Sequence, residues 1–153
     1  MLMLGDAAHA MLPSMAAGAS IAIEDAYGLA QALRLIQSPC QLASAIETWE
    51  SVRIPRATKM QEASYRHMYT LHLADGPQQR ARDELMEAEA RGEHFISSPN
   101  QWSDPTTQRW AYLHDPAEEV RNAWEKFQAK EREREVKRGA ECRSSRPVIL
   151  SRL

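Results

Sequence analysis

Gly5-Asp6-Ala7-Ala8-His9 leads through Pro13 to Gly18-Ala19 and then to Ile23-Glu24-Asp25-Ala26. Ahead of it stands a short apolar run, Met1–Leu4, which reads as a strand. Gly5 permits a tight backbone path that a side chain would block. Asp6 then places a carboxylate at the carboxyl end of the run. Pro13 biases Leu12 toward an extended conformation. Gly18 and Ala19 open a long helix whose first N–H groups have no partner within it. A polar turn followed by a helix amino end is a ready anion site.

This stretch, GDAAHAMLPSMAAGASIAIEDAYGLAQAL, closely resembles the flavin-binding motif of the FAD-dependent aromatic hydroxylases, the salicylate hydroxylase-like and p-hydroxybenzoate hydroxylase-like flavin monooxygenases. Their pattern is GDAAH, a proline, G-(A/M), then an A-(I/M)-E-D-A helix. Gly5, Asp6, Ala7, Ala8, His9, Pro13, Gly18, Ala19, Ala22, Ile23, Glu24, Asp25 and Ala26 match it in order. Ala17 and Ser20 depart from it, standing where glutamine and asparagine are frequent. Trp49-Glu50 with Arg53, Pro55 and Arg56 resembles the (Y/W)E-x-x-R-x-P-R-A stretch that follows in the same family. Asn100–Pro105 with Trp110, Tyr112 and His114-Asp115 resembles a late segment of salicylate-hydroxylase-like proteins.

The resemblance implies a mainly α chain, the C-terminal part of an α/β, Rossmann-like FAD-binding fold. One short N-terminal strand would be followed by three or more helices. Such enzymes hold the ADP half of FAD on a G-x-G-x-x-G unit. The glycines here stand apart at 5, 18, 28, 76, 92 and 139, so that unit is missing from this sequence. The partners of the first strand would lie upstream. The chain is therefore expected to be incomplete, to bind FAD weakly or not at all alone, and to lack hydroxylase activity alone. For the complete enzyme the resemblance implies FAD as cofactor and NAD(P)H as co-substrate. The reaction would be O₂-dependent hydroxylation of an aromatic or related small molecule.

A length of 153 residues suffices for one domain with a core. The net charge of −2 gives no reason to expect nucleic acid or an anionic membrane surface. No apolar run approaches the length of a membrane span, and Asp6 interrupts the first one early. Cys40 and Cys142 carry no metal or redox spacing, and an isolated pair fits a reducing compartment, so a cytoplasmic protein is expected.

Along the chain, residues 1–73 are expected to form the C-terminal part of an FAD-binding domain. Residues 74–137 would form a charged helical extension and 138–153 a flexible tail. Ser20–Gln37 reads as a helix with Ala22, Ala26, Leu29, Ala30 and Leu33 as its apolar stripe, Glu24 and Asp25 as early acids and Arg34 in its last turn. Gln41–Leu73 reads as a second helical region with Leu42, Ala45, Ile46 and Trp49 on one face, kinked or broken near Ile54 by Pro55. Gln78–Glu93 permits helix, and Ser97–Asn100 reads as a loop. Pro116–Lys137 reads as a last helix with Val120, Ala123, Trp124 and Phe127 on one face. A weak strand at Val148–Leu150 completes the reading.

The candidate cofactor-binding residues follow from the resemblance. Asp6 would accept hydrogen bonds from ribityl hydroxyls, within a backbone path set by Gly5 and Ala7; otherwise it is a surface turn aspartate. Gly18 and Ala19 would present N–H groups to the flavin pyrimidine edge, with Pro13 lining the flavin by its backbone. His9 would lie near cofactor or NAD(P)H, or be a turn histidine bonded to backbone. Arg53 and Arg56 would dock a cofactor domain or substrate carboxylate, or form inter-helix salt bridges. Trp49, Trp102, Trp110 and Trp124 would stack on flavin or substrate, or pack a core. The Glu/Arg run over 130–138 would bind a partner helix or form a solvated helix end. No catalytic residue and no metal site are expected; His67 and His72 are misspaced for one helix face. A rival reading is a cofactor-free helical interaction module derived from the same family. Neither the substrate nor the oligomeric state is legible.

Overall fold

A computed structural model describes residues 1–93 and 96–144 of the chain. Its helices are α1 (Asp6–His9), α2 (Gly18–Leu35), α3 (Leu42–Leu71), α4 (Pro77–Ala90), α5 (Pro105–Tyr112) and α6 (Pro116–Ser144). Single 3₁₀ turns at Pro13–Met15 and Pro39–Gln41 precede α2 and α3. No strand occurs among the described residues. None of the described helices is long and apolar enough to cross a membrane.

Helices α2, α3 and α6 pack against one another. Their shared core is Ala32, Ala45, Trp49, Val120 and Trp124, flanked by Leu29, Leu35, Ile36 and Phe127. Gly28 makes the crossing possible. A Cβ there would stand 3.3 Å from Cδ1 and Nε1 of Trp49, so the indole lies directly on the α2 backbone. A second core, Met15, Ala17, Ile21, Ala57, Met60, Ala63 and Ala111, forms where the segment between α1 and α2 packs with α2, α3 and α5. Residues of the expected extension thus share the interior of residues 1–73.

The expected strand at Met1–Leu4 does not form. Its side chains are exposed, and the one described bond to its backbone runs from Arg53 Nη2 to Met3 O at 2.8 Å. A strand must pair its N–H and C=O groups with a neighbour, and no described segment offers one. The break at Pro55 does not form either, and α3 runs unbroken from Leu42 to Leu71. Proline removes one helical N–H donor, and Ser51 and Pro55 both face solvent, where water can satisfy the freed Ser51 carbonyl. Trp49 before the proline and Ala57 and Met60 after it are buried, so packing spans the weak point.

The stripe of α2 is turned from expectation. Ile21, Asp25, Gly28 and Ala32 are buried, whereas Ala26, Ala30 and Leu33 are exposed. The cause is Asp25, an ionisable residue that apolar periodicity places outside. On α3, Ala45 and Trp49 are buried but Leu42 is exposed. Helix α5 is an element that the sequence reading does not contain. Asp104 caps it by accepting from Thr107 N at 2.7 Å, and Pro105 occupies its first turn. Helix α4 has no buried residue. It is tied to the rest by Arg82, which donates to the Thr70 and Leu71 carbonyls at the end of α3. Helix α6 extends past Lys137 to Ser144; the rest of the expected tail, with the weak strand at Val148–Leu150, lies outside the described residues.

Trp49 lies in the core shared by α2, α3 and α6 and is 1% exposed. Trp49→Ala is expected to lower unfolding free energy by about 3–5 kcal/mol, measured by urea denaturation.

Candidate functional site

The segment from Gly5 to Ser20 forms a rim on the helical body, with Gly5, His9, Met15 and Ala17 buried against it and the other residues partly or fully at the surface, and its shape is set from below. Gly5 has φ 57°, and a Cβ added there would meet the Ala22 Cβ at 3.3 Å. Both the left-handed backbone and the close approach to α2 call for glycine. The N–H groups of Ala8 and His9 bond to Gly5 O, each at 2.9 Å, closing the single turn of α1.

Both ends of that turn are fastened to Asp25. Its Oδ2 accepts from His9 Nε2 at 2.8 Å and from Gly5 N at 3.3 Å. Arg53 Nε lies 3.7 Å from Oδ1. Asp25 and His9 are each 2% exposed. The Asp25 backbone carbonyl in turn accepts from Trp49 Nε1 at 3.2 Å. Arg53 also lies over the Trp49 ring, 4.6 Å from its centroid.

Asp6 emerges from this frame exposed, and no described residue bonds its carboxylate. It stands against the amino end of α2, where a Cβ on Gly18 would lie 3.9 Å from Asp6 Oδ1. No side chain caps that helix end, and its first internal bond is Ile21 N to Ala17 O at 3.0 Å. The N–H groups of Gly18, Ala19 and Ser20 have no partner among the described residues. An exposed anion and free donors thus lie side by side, the donors reinforced by the positive end of a helix of 18 residues.

The connecting loop is held by α3 and by the segment before α5. Leu12 is extended before Pro13, as expected, and Ala16 is left-handed at φ 50°. Gln61 Nε2 donates to Ala10 O at 2.9 Å. Ser14 Oγ donates to Ser64 O, and Trp102 Nε1 to Ser14 O at 2.8 Å. The Trp102 ring stacks on buried His67, their centroids 6.4 Å apart. Burial pushes the His67 pKa below its ordinary value.

Of the seven candidate residues, Asp6 and Gly18 are brought together. Ala7, Pro13 and Ala19 are exposed around them, and Gly5 and His9 are buried beneath. The His9 ring turns inward to a carboxylate rather than to backbone. Arg56 is an inter-helix bridge. It forks onto Glu24 at 2.9 and 2.8 Å and donates to the Trp110 and Ala111 carbonyls, each at 2.8 Å. Trp49 and Trp124 are core, and Trp110 lies beneath Arg56 and Lys59. Sequence reasoning missed Asp25, Gln61, Ser64 and the Trp102 bond. A paired histidine and aspartate within one motif was the available signal for the first; a side chain donating to a distant carbonyl leaves none.

Residues 1–64 match the FAD binding domain family. This segment belongs to that family. The chain is 34% identical over 113 residues to the FAD-dependent monooxygenase OpS4 of Beauveria bassiana, a match covering 74% of this chain and 26% of that protein. It is 44% identical over 87 residues to the FAD-dependent monooxygenase atnJ of an Arthrinium species, covering 57% of this chain and 21% of the relative. It is 45% identical over 65 residues to a salicylate hydroxylase of Pseudomonas putida, covering 42% and 15%. The chain spans about a quarter or less of the length of these curated relatives. The FAD-binding-domain segment fits its family's ligand in its chemistry. The Asp6 carboxylate is an acceptor free for sugar-like hydroxyls, and the α2 amino end is a donor set free for an electron-rich ring edge.

Two outcomes follow. Arg56→Lys loses the planar fork and is expected to destabilise the fold by about 2–3 kcal/mol in urea denaturation. His67, with its pKa lowered on folding, contributes its full stability above its ordinary value of 6.5 and loses it as pH falls through that value toward the lowered one. The difference in unfolding free energy between the parent and His67→Phe is expected to shrink or reverse on acidification over that window.

Proposed function

We propose that this chain forms the ribityl- and pyrimidine-facing part of the FAD site of a flavin-dependent monooxygenase. The observation that carries the reading is the unpartnered Asp6 carboxylate beside the uncapped amino end of α2, within a segment of the FAD binding domain family. Asp6 accepts hydrogen bonds from ribityl hydroxyls, in the turn shaped by Gly5 and Ala7. The N–H groups of Gly18 and Ala19 donate to the pyrimidine edge of the ring, where the helix end favours negative charge. The Pro13 turn lines the ring by its backbone.

FAD, when bound, supplies the redox and oxygen chemistry of the hydroxylation. The contribution of this chain is placement and charge stabilisation. In the complete enzyme the reaction is hydroxylation of an aromatic or related small molecule with NAD(P)H and O₂, a class to which the salicylate hydroxylase name among the relatives points. No G-x-G-x-x-G unit stands among these residues, so flavin binding by this chain alone is expected to be weak and hydroxylation absent.

Amide-shift titration of the ¹⁵N-labelled chain with riboflavin and with FAD tests the reading. Both are expected to bind in roughly the millimolar range and within about threefold of each other, since only the shared half is contacted. Shifts are expected at Gly18, Ala19 and Ser20, and Asp6→Ala is expected to weaken riboflavin about tenfold. Shifts confined elsewhere, or full affinity in Asp6→Ala, would refute it.

A further inference from the structure

We infer that Asp25 is a positioning residue for this flavin-facing rim: its buried carboxylate sets where the Asp6 carboxylate lies relative to the amino end of α2. The inference rests on the ribityl assignment above and adds a residue that touches no ligand.

Helix α1 is a single turn, too short to hold its own shape, since a lone turn fixes many dihedrals for few hydrogen bonds. Something outside it must fix its place. The two residues that close the turn, Gly5 and His9, both donate to the same oxygen, Asp25 Oδ2. Asp6 lies between them. One atom of α2 therefore sets both ends of the turn that carries the ribityl acceptor.

That same helix carries the opposing donors. Asp25 stands seven residues after Gly18, about two turns along α2. The acceptor and the donors are thus referenced to one rigid element. The covalent route between them is a loop that crosses a left-handed residue, Ala16, and is a poorer ruler. Asp25 shortens the path from two exposed polar groups to one helix.

Packing alone does not call for this residue. Its neighbours on the buried stripe are Ile21, Gly28 and Ala32, and an apolar side chain would continue them. A buried carboxylate is unfavourable unless donors surround it. Here the donors are Gly5 N and His9 Nε2, with the Arg53 guanidinium 3.7 Å from Oδ1 as a compensating charge that makes no hydrogen bond to it. Asparagine would keep the shape but offer one acceptor oxygen, and its amide hydrogens would then face at least one of those donors. His9 Nδ1 has no partner among the described residues. The Asp25 bond is thus the one described polar tie on the His9 ring, and losing it frees the end of the turn.

The test is a double-mutant cycle on the full chain, with riboflavin as probe and amide shifts as readout. Asp25→Asn is expected to weaken riboflavin about tenfold when Asp6 is present, and by less than about twofold on top of Asp6→Ala, because a carboxylate already removed cannot also be misplaced. Equal loss in both backgrounds, or no loss, overturns the inference. Full affinity in Asp6→Ala alone instead overturns the ribityl assignment. Amide exchange supplies a reading without flavin. In Asp25→Asn, exchange at Ala8 and His9 is expected to rise at least about tenfold while buried amides of α3 and α6 keep their protection. Unchanged protection at Ala8 and His9 overturns the inference whatever the flavin does. His9→Phe removes one of the two bonds and leaves Asp25 in place; it goes through the same cycle with the same expected pattern, so the answer does not hang on Asp25→Asn remaining folded.

Discussion

A carboxylate inside a small helical protein constrains everything around it, because donors must be brought to it from several directions at once. Asp25 is such a group. It draws in the backbone of Gly5, the ring of His9 and the guanidinium of Arg53, which come from the turn of α1 and from α3. Arg53 carries the constraint outward by binding Met3 O. Trp49, four residues and about one turn before Arg53 on α3, bonds the Asp25 backbone carbonyl and lies against Gly28. The α2–α3 crossing, the course of the N-terminal segment and the placement of the exposed turn are therefore one arrangement. None of them can shift without leaving a buried polar group unpartnered, a penalty of about 1–3 kcal/mol each time.

Arg56 plays the matching part on the other side of α3. Its guanidinium satisfies the Glu24 carboxylate and the carbonyls of Trp110 and Ala111 together. Those carbonyls belong to the end of α5, whose N–H partners within the helix have run out. A residue in the segment matched to the FAD binding domain thus caps a helix that lies beyond it. Trp102 returns the support by holding Ser14 O. The relative that matches 113 residues extends past that segment too, as expected if the later helices brace the rim rather than hang from it.

Much of this was legible, and the misses share a cause. The helix positions of α2, α3, α4 and α6 follow from apolar spacing and from Pro and Gly punctuation, and the flavin motif stood out by its order of residues. The rotation of the α2 stripe was missed because periodicity weighs Asp25 as polar, whereas its partners make it an interior residue. The break at Pro55 was overestimated because local propensity does not see Trp49, Ala57 and Met60 packed on either side. The strand at Met1–Leu4 was assigned from four apolar residues, but a strand is a property of a pair. Helix α5 had a readable signal in Asp104-Pro105, an N-cap followed by proline, outweighed by the loop-like residues before it. The sequence does not decide between the two readings of His9, because its partner lies 16 residues away and local sequence does not show which side of a turn a ring takes.

The contrast between interior and rim bears most on function. Beneath the rim, Asp25 holds Gly5 N and His9, Gln61 holds Ala10 O, and Ser64 O holds Ser14, so that the backbone course is fixed from below. On it, Asp6 and the amino end of α2 have none among the described residues, although a capping serine or asparagine at position 17 would quiet the helix end by about 1 kcal/mol. Ala17 is instead buried and offers no cap. Polar groups left open on a frame this firmly tied keep their orientation before any ligand arrives, so binding need not order them. A surface loop with no ligand would be free to fold its carboxylate back onto those three N–H groups. Asp6 stands beside them and does not cap them, which is the arrangement a bound molecule needs if it is to take the acceptor with one part of itself and the donors with another.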